Sequence, residues 1–307
     1  MYNFIVNPNA KGGQGEKLWR RLEKRLAYLG IEYEAFLTTK AGDASVFAAN
    51  LTKKCREPRI IVIVGGDGIV NEVVDGLCFG GPVTLGYIPT GSGNDLARSL
   101  RLPLSPLRCL KKIINPKYYK LLDYGVISYG EQLNHRRFMV SAGIGLDAAV
   151  CQDILKSKTK RLLSKVHLEK LSYALVGIKR LLFTWPVKGY LILDGIQRVE
   201  FNHIYFVSAH IHPYEGGGFR FAPSADPCDG KLTVCVVHNG KKRKILPVLA
   251  GAFFGRLNKR HGIRNYTCHE VEIHVDRPLA VHADGEDCLC QKDIHIRCIP
   301  QKVRMTM

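Results

Sequence analysis

The run RIIVIV at residues 59–64 constrains the fold most strongly, because it is almost continuously apolar and leads directly into the turn GGDG. Strands that are apolar on both faces are typical of a parallel sheet covered by helices on both sides. A second run of this kind, VTLGYIP, occupies 83–89. Helical periodicity at 16–30 and at 43–55 separates the strand candidates, so the order of elements predicts a parallel α/β fold for this part of the chain.

Beyond about residue 120 the pattern changes to short β-rich runs separated by Gly, Pro, Asn and Asp, with one helical block at roughly 151–183. Such a pattern predicts a second, mainly antiparallel β domain. We therefore place an α/β domain at 1–123 and a β-rich domain at 124–289. We expect the segment 290–307 to return to the first domain.

The chain carries 45 Lys and Arg residues against 27 Asp and Glu residues, a formal net charge of +18. A balance of this kind favours anionic partners, which include nucleotides, nucleic acid and anionic membranes. Ten cysteines are scattered without a CxxC pair, and the opening MYNFIVNP is not a secretory signal. We therefore expect a reducing, cytoplasmic environment. The apolar runs are too short for a membrane-spanning helix.

Glycine-rich turns follow three strand candidates of the first domain: NPNAKGGQG (7–15), GGDG (65–68) and PTGSGND (89–95). Turns at the carboxyl ends of parallel strands converge on one edge of the sheet, where ligands bind. Glycine lets the backbone approach a ligand, and the N–H groups of such turns bind phosphate. The three turns together predict a phosphate site. None of them fits GxxxxGK[ST] or GxGxxG, which argues against a P-loop and against a dinucleotide site.

Asp67 is an acid among these glycines. A carboxylate beside phosphate is repelled unless it holds a metal ion or accepts a proton, and phosphoryl transfer uses both. We therefore interpret Asp67 as a general base, a magnesium binder or both. The alternative interpretation is an aspartate that caps a helix beginning at Ile69.

These motifs resemble those of the diacylglycerol kinase catalytic-domain family, which includes soluble bacterial lipid kinases and the sphingosine and ceramide kinases. The resemblance rests on NPNAKGGQG, TKAGDA (39–44), GGDGIVNEVVDGL (65–77), LGYIPTGSGNDLAR (85–98), SAGIGLDAAV (141–150), GGGFRFAPSADPCDGKLTV (216–234) and HADGE (282–286). It implies an α/β nucleotide-binding domain, a β-sandwich lipid-binding domain and a nucleotide cleft between them. It also implies ATP- and Mg²⁺-dependent phosphorylation of a lipid hydroxyl. Diacylglycerol is the default acceptor, with a sphingoid base, a monoacylglycerol, phosphatidylglycerol or an undecaprenol-like alcohol as alternatives.

The resemblance also implies roles for individual residues. The residues implied to contact the nucleotide are Asn7, Lys11, Thr38, Gly66, Asp67, Gly68, Asn71, Glu72, Gly91, Ser92, Asn94 and Asp284. Asp67, with Glu286 in support, is implied as the base that takes the hydroxyl proton, although either acid could serve. Asp95 would extend the acidic network around Asp67, and Asp147 would face the lipid hydroxyl.

The stretch ADPCDGKL (225–232) resembles a structural magnesium site of bacterial family members, with Asp226 and Asp229 as ligands. Hard oxygen ligands suit Mg²⁺. The alternative is an Asp-rich turn before the strand KLTVCVV.

Four residues depart from the pattern of the family. Ser92 stands where many members carry Thr, and it keeps the hydroxyl. Ile69 stands where members usually carry Thr, so a hydroxyl near the phosphates is lost. The alternative interpretation is therefore a non-catalytic protein that binds nucleotide or lipid and acts as a regulator. His210 and His212 stand where members often carry Asn; two histidines at this spacing share one face of a strand. A metal site is conceivable there, and packing is the favoured interpretation.

Two segments, 156–188 and 241–260, combine Lys and Arg with apolar residues at roughly helical spacing. A basic amphipathic helix suits the surface of an anionic membrane, whereas the alternative is a core helix with a solvated basic face. We expect peripheral association with anionic lipids. A nucleic-acid-binding protein would explain the charge but not the acids in glycine-rich turns, so we expect no nucleic-acid partner. A homodimer is the default expectation for a soluble protein.

Overall fold

The computed structural model describes residues 1–156, 169–238, 241–255 and 262–307. The chain divides into two units, the first formed by Met1–Leu122 with Gln301–Met307 and the second by Asp123–Pro300. The division lies one residue before the expected boundary. The returning segment is shorter than the expected 290–307, because the residues before Gln301 belong to a long strand of the second unit.

The first unit contains a parallel sheet. Its strands are β1 (Tyr2–Val6), β2 (Tyr33–Leu37), β3 (Arg59–Gly65) and β4 (Val83–Pro89). They lie in the order β4-β3-β1-β2, and every neighbouring pair is parallel. The last residues of the chain add a further parallel neighbour, because Met305 pairs with Leu85 of β4.

Helices connect these strands. They are α1 (Ala10–Tyr28), α2 (Asp43–Thr52), α3 (Asp67–Gly76), α4 (Asp95–Ser99) and α5 (Pro106–Ile114). The apolar face of α1 contributes Trp19, Leu22 and Leu26 to a core that also contains Phe4 and Val62 from the sheet. This core holds the carboxyl ends of the strands, with their glycine-rich turns, in place.

The second unit consists mainly of antiparallel strands. They are β5 (Tyr119–Tyr129), β6 (Asn134–Phe138), β7 (Ser141–Gly145), β8 (Val187–Leu193), β9 (Gln197–His210), β10 (Leu232–His238), β11 (Ile263–Cys268), β12 (Glu270–Ala283) and β13 (Glu286–Thr306). The first residues of β5 and the last of β13 belong to the first unit. The strands β11-β10-β9-β7-β12-β13 are successive neighbours, and β8 pairs with both β9 and β12. Their apolar side chains form one core. A second apolar cluster lies where the helices of this unit pack.

The expected helical block at 151–183 corresponds to α6 (Leu146–Lys156), which begins before the expected start, and α7 (Glu169–Phe183), while residues 157–168 lie outside the described residues. A short 3₁₀ helix (Lys242–Lys244) and α8 (Leu246–Phe253) follow β10. In the part of the chain that the structure describes, no helix has both the length and the apolar character needed to cross a bilayer.

Candidate active site

The turn between β3 and α3 is built around Asp67. Its carboxylate oxygens accept the backbone N–H groups of Asp95 at 2.9 Å and of Leu96 at 3.3 Å, both in the first turn of α4. Asp67 therefore caps the neighbouring helix α4. The contact brings GGDG and PTGSGND together, as the convergence of strand ends predicts.

Two glycines lie against each other where these turns meet. A Cβ atom on Gly91 would lie 2.5 Å from the Cα of Gly66 and 2.9 Å from Oδ1 of Asn94. Asn94 has a left-handed backbone (φ 51°), and its side-chain amide donates to the carbonyl of Gly91 at 2.7 Å. The backbone approach therefore requires glycine, and Asn94 fixes the shape of the turn.

Asp95 is buried beside Asp67 and forms an ion pair with Arg98. Arg98 also donates to the carbonyl of Gly93 at 3.1 Å, which ties α4 to its own turn. Burial, together with the charges of Asp67 and Asp95, raises the pKa of the nearby Tyr87 well above its ordinary value. Tyr87 is therefore a neutral hydrogen-bonding phenol next to the two acids.

The first glycine-rich turn lies beside a basic cavity of about 410 Å³. Lys11, Lys17, Arg21 and Thr90 are among its lining residues. Lys11 has a left-handed backbone (φ 50°), as do the two glycines after it, so the regular helix begins after the turn. The cavity thus combines cationic side chains with the backbone of a glycine-rich turn, which suits a phosphorylated ligand.

Other predicted nucleotide residues of the first unit have structural partners. Thr38 is buried and donates to the carbonyl of Val6 at 3.3 Å. Glu72 accepts the backbone N–H of Ala44 at 3.3 Å and so supports the start of α2. Asn71 is fully buried in α3, whereas Ser92 is exposed in its turn. Their predicted contacts with nucleotide stay predictions.

Ile69 is buried in α3, where its side chain contacts Gly65; a Cβ atom on Gly65 would lie 3.0 Å from it. Asn7 shapes the first glycine-rich turn through Oδ1, which accepts the N–H of Asn9 at 2.9 Å. Gly68 lies in the first turn of α3 directly after Asp67.

The second unit holds a buried polar cluster that sequence analysis identified only in part. Nε2 of His282, on β12, lies 3.4 Å from Oδ2 of Asp147 in α6 and 3.3 Å from Oε1 of Glu215. Glu215, in the loop after β9, was not predicted; the only signal was its place directly before GGG. His210 extends the cluster, because its Nε2 lies 2.8 Å from the hydroxyl of Ser208 and 3.4 Å from Glu215.

The electrostatics of this cluster follow from burial. Burial raises the pKa of Asp147, and the hydrogen bond to His282 only partly offsets this. Burial is the largest single influence on Glu215 and would raise its pKa, but the interactions with His282, His210 and Ser141 together outweigh it and lower the pKa. Burial alone would lower the pKa of His282, yet the carboxylates of Asp147 and Glu215 raise it well above its ordinary value.

Asp147 and Glu215 also line a cavity of about 410 Å³ in the second unit. Its other walls are almost entirely apolar and include Val150, Phe206 and Phe253. A cavity of this size that is apolar except for two acids suits an apolar molecule with a polar end group. Periodicity cannot reveal such a cavity, because its walls come from separate elements of the unit.

The DGE motif connects β12 and β13. Asp284 has a left-handed backbone (φ 49°), and its carboxylate accepts the N–H groups of Met139, Val140 and Ser141 at 2.7–3.1 Å. The side chain therefore fixes the turn, and its predicted contact with nucleotide stays a prediction. Glu286 is partly exposed, with its carboxylate 3.9 Å from Arg136.

Asp226 and Asp229 lie in one exposed turn before β10. Each carboxylate accepts a backbone N–H two residues ahead, from Cys228 at 3.1 Å and from Lys231 at 2.9 Å. Asp123 braces the same turn, because it accepts the N–H of Gly230 at 2.7 Å. The turn has the Asp-rich form of the alternative interpretation, and its oxygens are also of the kind that Mg²⁺ prefers.

Comparison with known proteins relates both units to lipid kinases. The family model of the diacylglycerol kinase catalytic domain matches residues 1–123, and that of the YegS C-terminal NAD kinase beta sandwich-like domain matches residues 139–307. The chain is 29% identical to the diacylglycerol kinase of Bacillus subtilis over 287 residues, covering 92% of this chain and 88% of the relative. It is 28% identical over 288 residues to YtlR of the same organism, whose name proposes a lipid kinase without stating the acceptor; the match covers 92% of each chain.

A solved structure from Bacillus anthracis strain Sterne, proposed to be a diacylglycerol kinase, has the same fold. The TM-score is 0.79 at 23% identity, and the match covers 99% of this chain and 96% of the other. The prediction of a two-domain α/β fold with a β-sandwich second domain is therefore confirmed.

Proposed function

The chain belongs to the diacylglycerol kinase catalytic-domain family, and we propose that it transfers the γ-phosphate of ATP to the hydroxyl of a lipid. Diacylglycerol is the proposed acceptor, and phosphatidic acid the product. The observation that carries this proposal is the apolar cavity of the second unit, whose polar wall consists of Asp147 and Glu215. An acyl chain suits such walls, and a hydroxyl suits the acids at its end.

On the nucleotide side, the proposal rests on the converging turns of the first unit. The turn of Gly66 and Gly91 brings the two backbones into contact, and the basic cavity lined by Lys11 supplies positive charge for phosphates. Asp67 is held in place by two backbone N–H groups. A fixed carboxylate beside a phosphate site can accept the proton of the attacking hydroxyl or bind a metal ion.

Magnesium is the metal ion that this reaction would use, and it would neutralise the negative charge of the phosphates. The residues present fit it, because Asp67 and Asp95 offer carboxylate oxygens at the meeting point of the turns. Asp226 and Asp229 offer a second set in their exposed turn. Glu286, half-exposed beside Arg136, is the alternative proton acceptor in the second unit.

We also propose that the second unit binds to the surface of an anionic membrane. Phe183 and Trp185 are 75% and 70% exposed at and just beyond the end of α7. Lys242 of the 3₁₀ helix lies over the Trp185 ring, with Nζ 4.6 Å from the ring centroid, and it is followed by Arg243 and Lys244. Exposed aromatic residues next to cations suit an interface of acyl chains and anionic head groups. The basic residues at 157–168 and 256–260 that entered this prediction lie outside the described residues.

The test is transfer of label from γ-labelled ATP with Mg²⁺ to lipids in mixed micelles. Diacylglycerol, a monoacylglycerol, a sphingoid base and phosphatidylglycerol are assayed separately, with the Asp67→Asn variant beside the parent protein. Asp43→Asn is the matched control, because Asp43 also accepts backbone N–H groups at the start of a helix, α2. We expect label in diacylglycerol, lost in Asp67→Asn and kept in Asp43→Asn.

Label in another lipid would change the acceptor and keep the kinase. ATP binding without transfer to any lipid would reject catalysis. It would favour a regulatory protein, which is the alternative suggested by the loss of a hydroxyl at Ile69. Label transfer that survives Asp67→Asn would move the proton-accepting role to another acid.

A further inference from the structure

Asp147, Glu215 and His282 form a set of potential metal ligands. One donor atom of each, a carboxylate oxygen or an imidazole nitrogen, lies within 4.8 Å of the others. Their side chains are between 1% and 8% exposed. Each comes from a different part of the second unit: the first turn of α6, the loop after β9, and β12. The packing of this unit therefore builds the site, and no local turn is sufficient to form it.

The distances within this set are long for hydrogen bonds between charged groups. Nε2 of His282 lies 3.4 Å from Asp147 and 3.3 Å from Glu215, whereas a charged N–H···O⁻ bond is about 2.7–2.9 Å long. Ligands bound to a tetrahedral ion at about 2.0–2.2 Å lie roughly 3.3–3.6 Å apart. The separations on both sides of His282 therefore match those of ligands that share an ion.

A second observation points in the same direction. Oε2 of Glu215 is buried and accepts no hydrogen bond among the described residues. Nε2 of His210 lies 3.4 Å from this oxygen and 2.8 Å from the hydroxyl of Ser208, and burial lowers the pKa of His210, which disfavours the cationic imidazolium. A buried carboxylate oxygen without a donor is costly, and an ion bound by this carboxylate removes that cost.

We propose that Asp147, Glu215 and His282 bind one divalent transition-metal ion, Zn²⁺ or Mn²⁺. An imidazole together with two carboxylates suits these ions, whereas Mg²⁺ prefers oxygen ligands alone. Coordination through Nε2 leaves the imidazole proton on Nδ1, so the 3.2 Å hydrogen bond from the Gly285 N–H is given up. Asp147 and Glu215 also line the apolar cavity, which gives the ion an entry path.

This inference concerns the second unit alone and does not depend on kinase activity. Tag-free full-length protein is stripped with a chelator and titrated by calorimetry with Zn²⁺, Mn²⁺ or Mg²⁺. We expect one equivalent of Zn²⁺ or Mn²⁺ to bind, and an equal concentration of Mg²⁺ not to compete. The variants are His282→Gln and Glu215→Gln, and we expect each to weaken binding at least tenfold.

The matched control is His274→Gln. His274 is also a histidine paired with a carboxylate, since Nδ1 lies 2.6 Å from Asp293, but the pair is near the surface and no third ligand joins it among the described residues. We expect this variant to bind the metal like the parent protein. Circular dichroism shows which variants fold, and the melting temperature of the parent protein is measured with and without each ion.

Three results would overturn the proposal. They are the absence of stoichiometric Zn²⁺ or Mn²⁺ binding by the parent protein, unchanged affinity in a folded His282→Gln or Glu215→Gln variant, and equal competition by Mg²⁺. If neither variant folds, the melting temperature of the parent protein is the test, because an ion that binds the native state must raise that temperature. No rise with Zn²⁺ or Mn²⁺ would then reject the site.

Discussion

Asp67 accepts the backbone N–H of Asp95 at 2.9 Å, which joins the turn after β3 to the start of α4. The same carboxylate reaches the N–H of Leu96. One acid of the phosphate-site motif thus also holds two glycine-rich turns together. A loss of activity on substitution of Asp67 can therefore have two causes, the loss of a catalytic group or the distortion of the two turns. Experiment must separate them.

Replacing Asp67 by Ala and by Asn separates these two roles. Ala removes the cap of α4, so we expect the free energy of unfolding to fall by about 1 kcal/mol. Asn keeps one oxygen as a hydrogen-bond acceptor, so we expect a smaller loss of stability. Both remove the charge, and we expect lipid phosphorylation to fall at least 100-fold in both. Urea unfolding and label transfer measure the two effects. If the loss of activity in each variant is only as large as its loss of stability explains, the catalytic role is rejected.

The contact of Gly66 with Gly91 gives a second prediction. In Gly91→Ala the new Cβ meets backbone at 2.5 Å, so the turns must separate. We expect a loss of about 1–3 kcal/mol in unfolding free energy and weaker nucleotide binding. Gly80→Ala is the control, because its Cβ would meet nothing within 4 Å in the same unit. Urea unfolding and ATP titration measure both; equal behaviour of the two variants would contradict the close approach.

Sequence reasoning anticipated those features that depend on local pattern. The apolar runs of β3 and β4 fix a parallel sheet, and strand polarity alone brings GGDG and PTGSGND to one edge. The helical repeat of α1 likewise puts Trp19, Leu22 and Leu26 in the core. In each case a short periodic pattern determines the position of a side chain.

The polar cluster of the second unit could not be predicted in this way. Glu215 and His282 lie far apart in sequence, and no spacing rule connects them. His210 was favoured as a packing residue, and it is buried, but its partners are the polar Ser208 and Glu215. The role of Asp284 could not be predicted either, because its three backbone donors lie far away in sequence, where β6 leads into β7.

The apolar cavity of the second unit can be tested by filling it. Ala250 lines the cavity, so we expect Ala250→Phe to raise the KM for the lipid acceptor several-fold and leave the KM for ATP unchanged. Ala27→Phe, at an exposed position of α1 in the first unit, is the control. Steady-state kinetics with lipid micelles measure both constants. An unchanged lipid KM would remove the cavity from the acceptor site.

The cysteines differ in their expected reactivity. Burial raises the pKa of Cys268 and of Cys298 to about 12 and that of Cys109 to about 11, so these thiols are protonated at pH 8. Cys78 and Cys290 are exposed. We expect iodoacetamide to modify the two exposed cysteines first and the three buried ones only in denaturant. Peptide mass spectrometry over time measures this order, and early labelling of Cys268 would contradict the buried position.

The pH dependence of stability provides a test at Asp194, in the turn between β8 and β9. Burial alone would raise its pKa, but the N–H groups of Glu270 and His269, at 3.0 and 2.7 Å, hold the pKa below its ordinary value of 3.8. Because the pKa is lower in the folded state, the ionised group stabilises the fold above pH 3.8. This stabilisation is lost as the pH falls through the folded-state pKa.

We therefore expect Asp194→Asn to melt below the parent protein at pH 6 and the difference to narrow towards pH 2.5. Asn keeps an acceptor oxygen, so Asp194→Ala, which loses both charge and acceptor, should melt lower still at every pH. Differential scanning calorimetry across this range measures all three proteins. A difference between Asp194→Asn and the parent protein that stays constant with pH would show that the charge at this turn does not stabilise the fold.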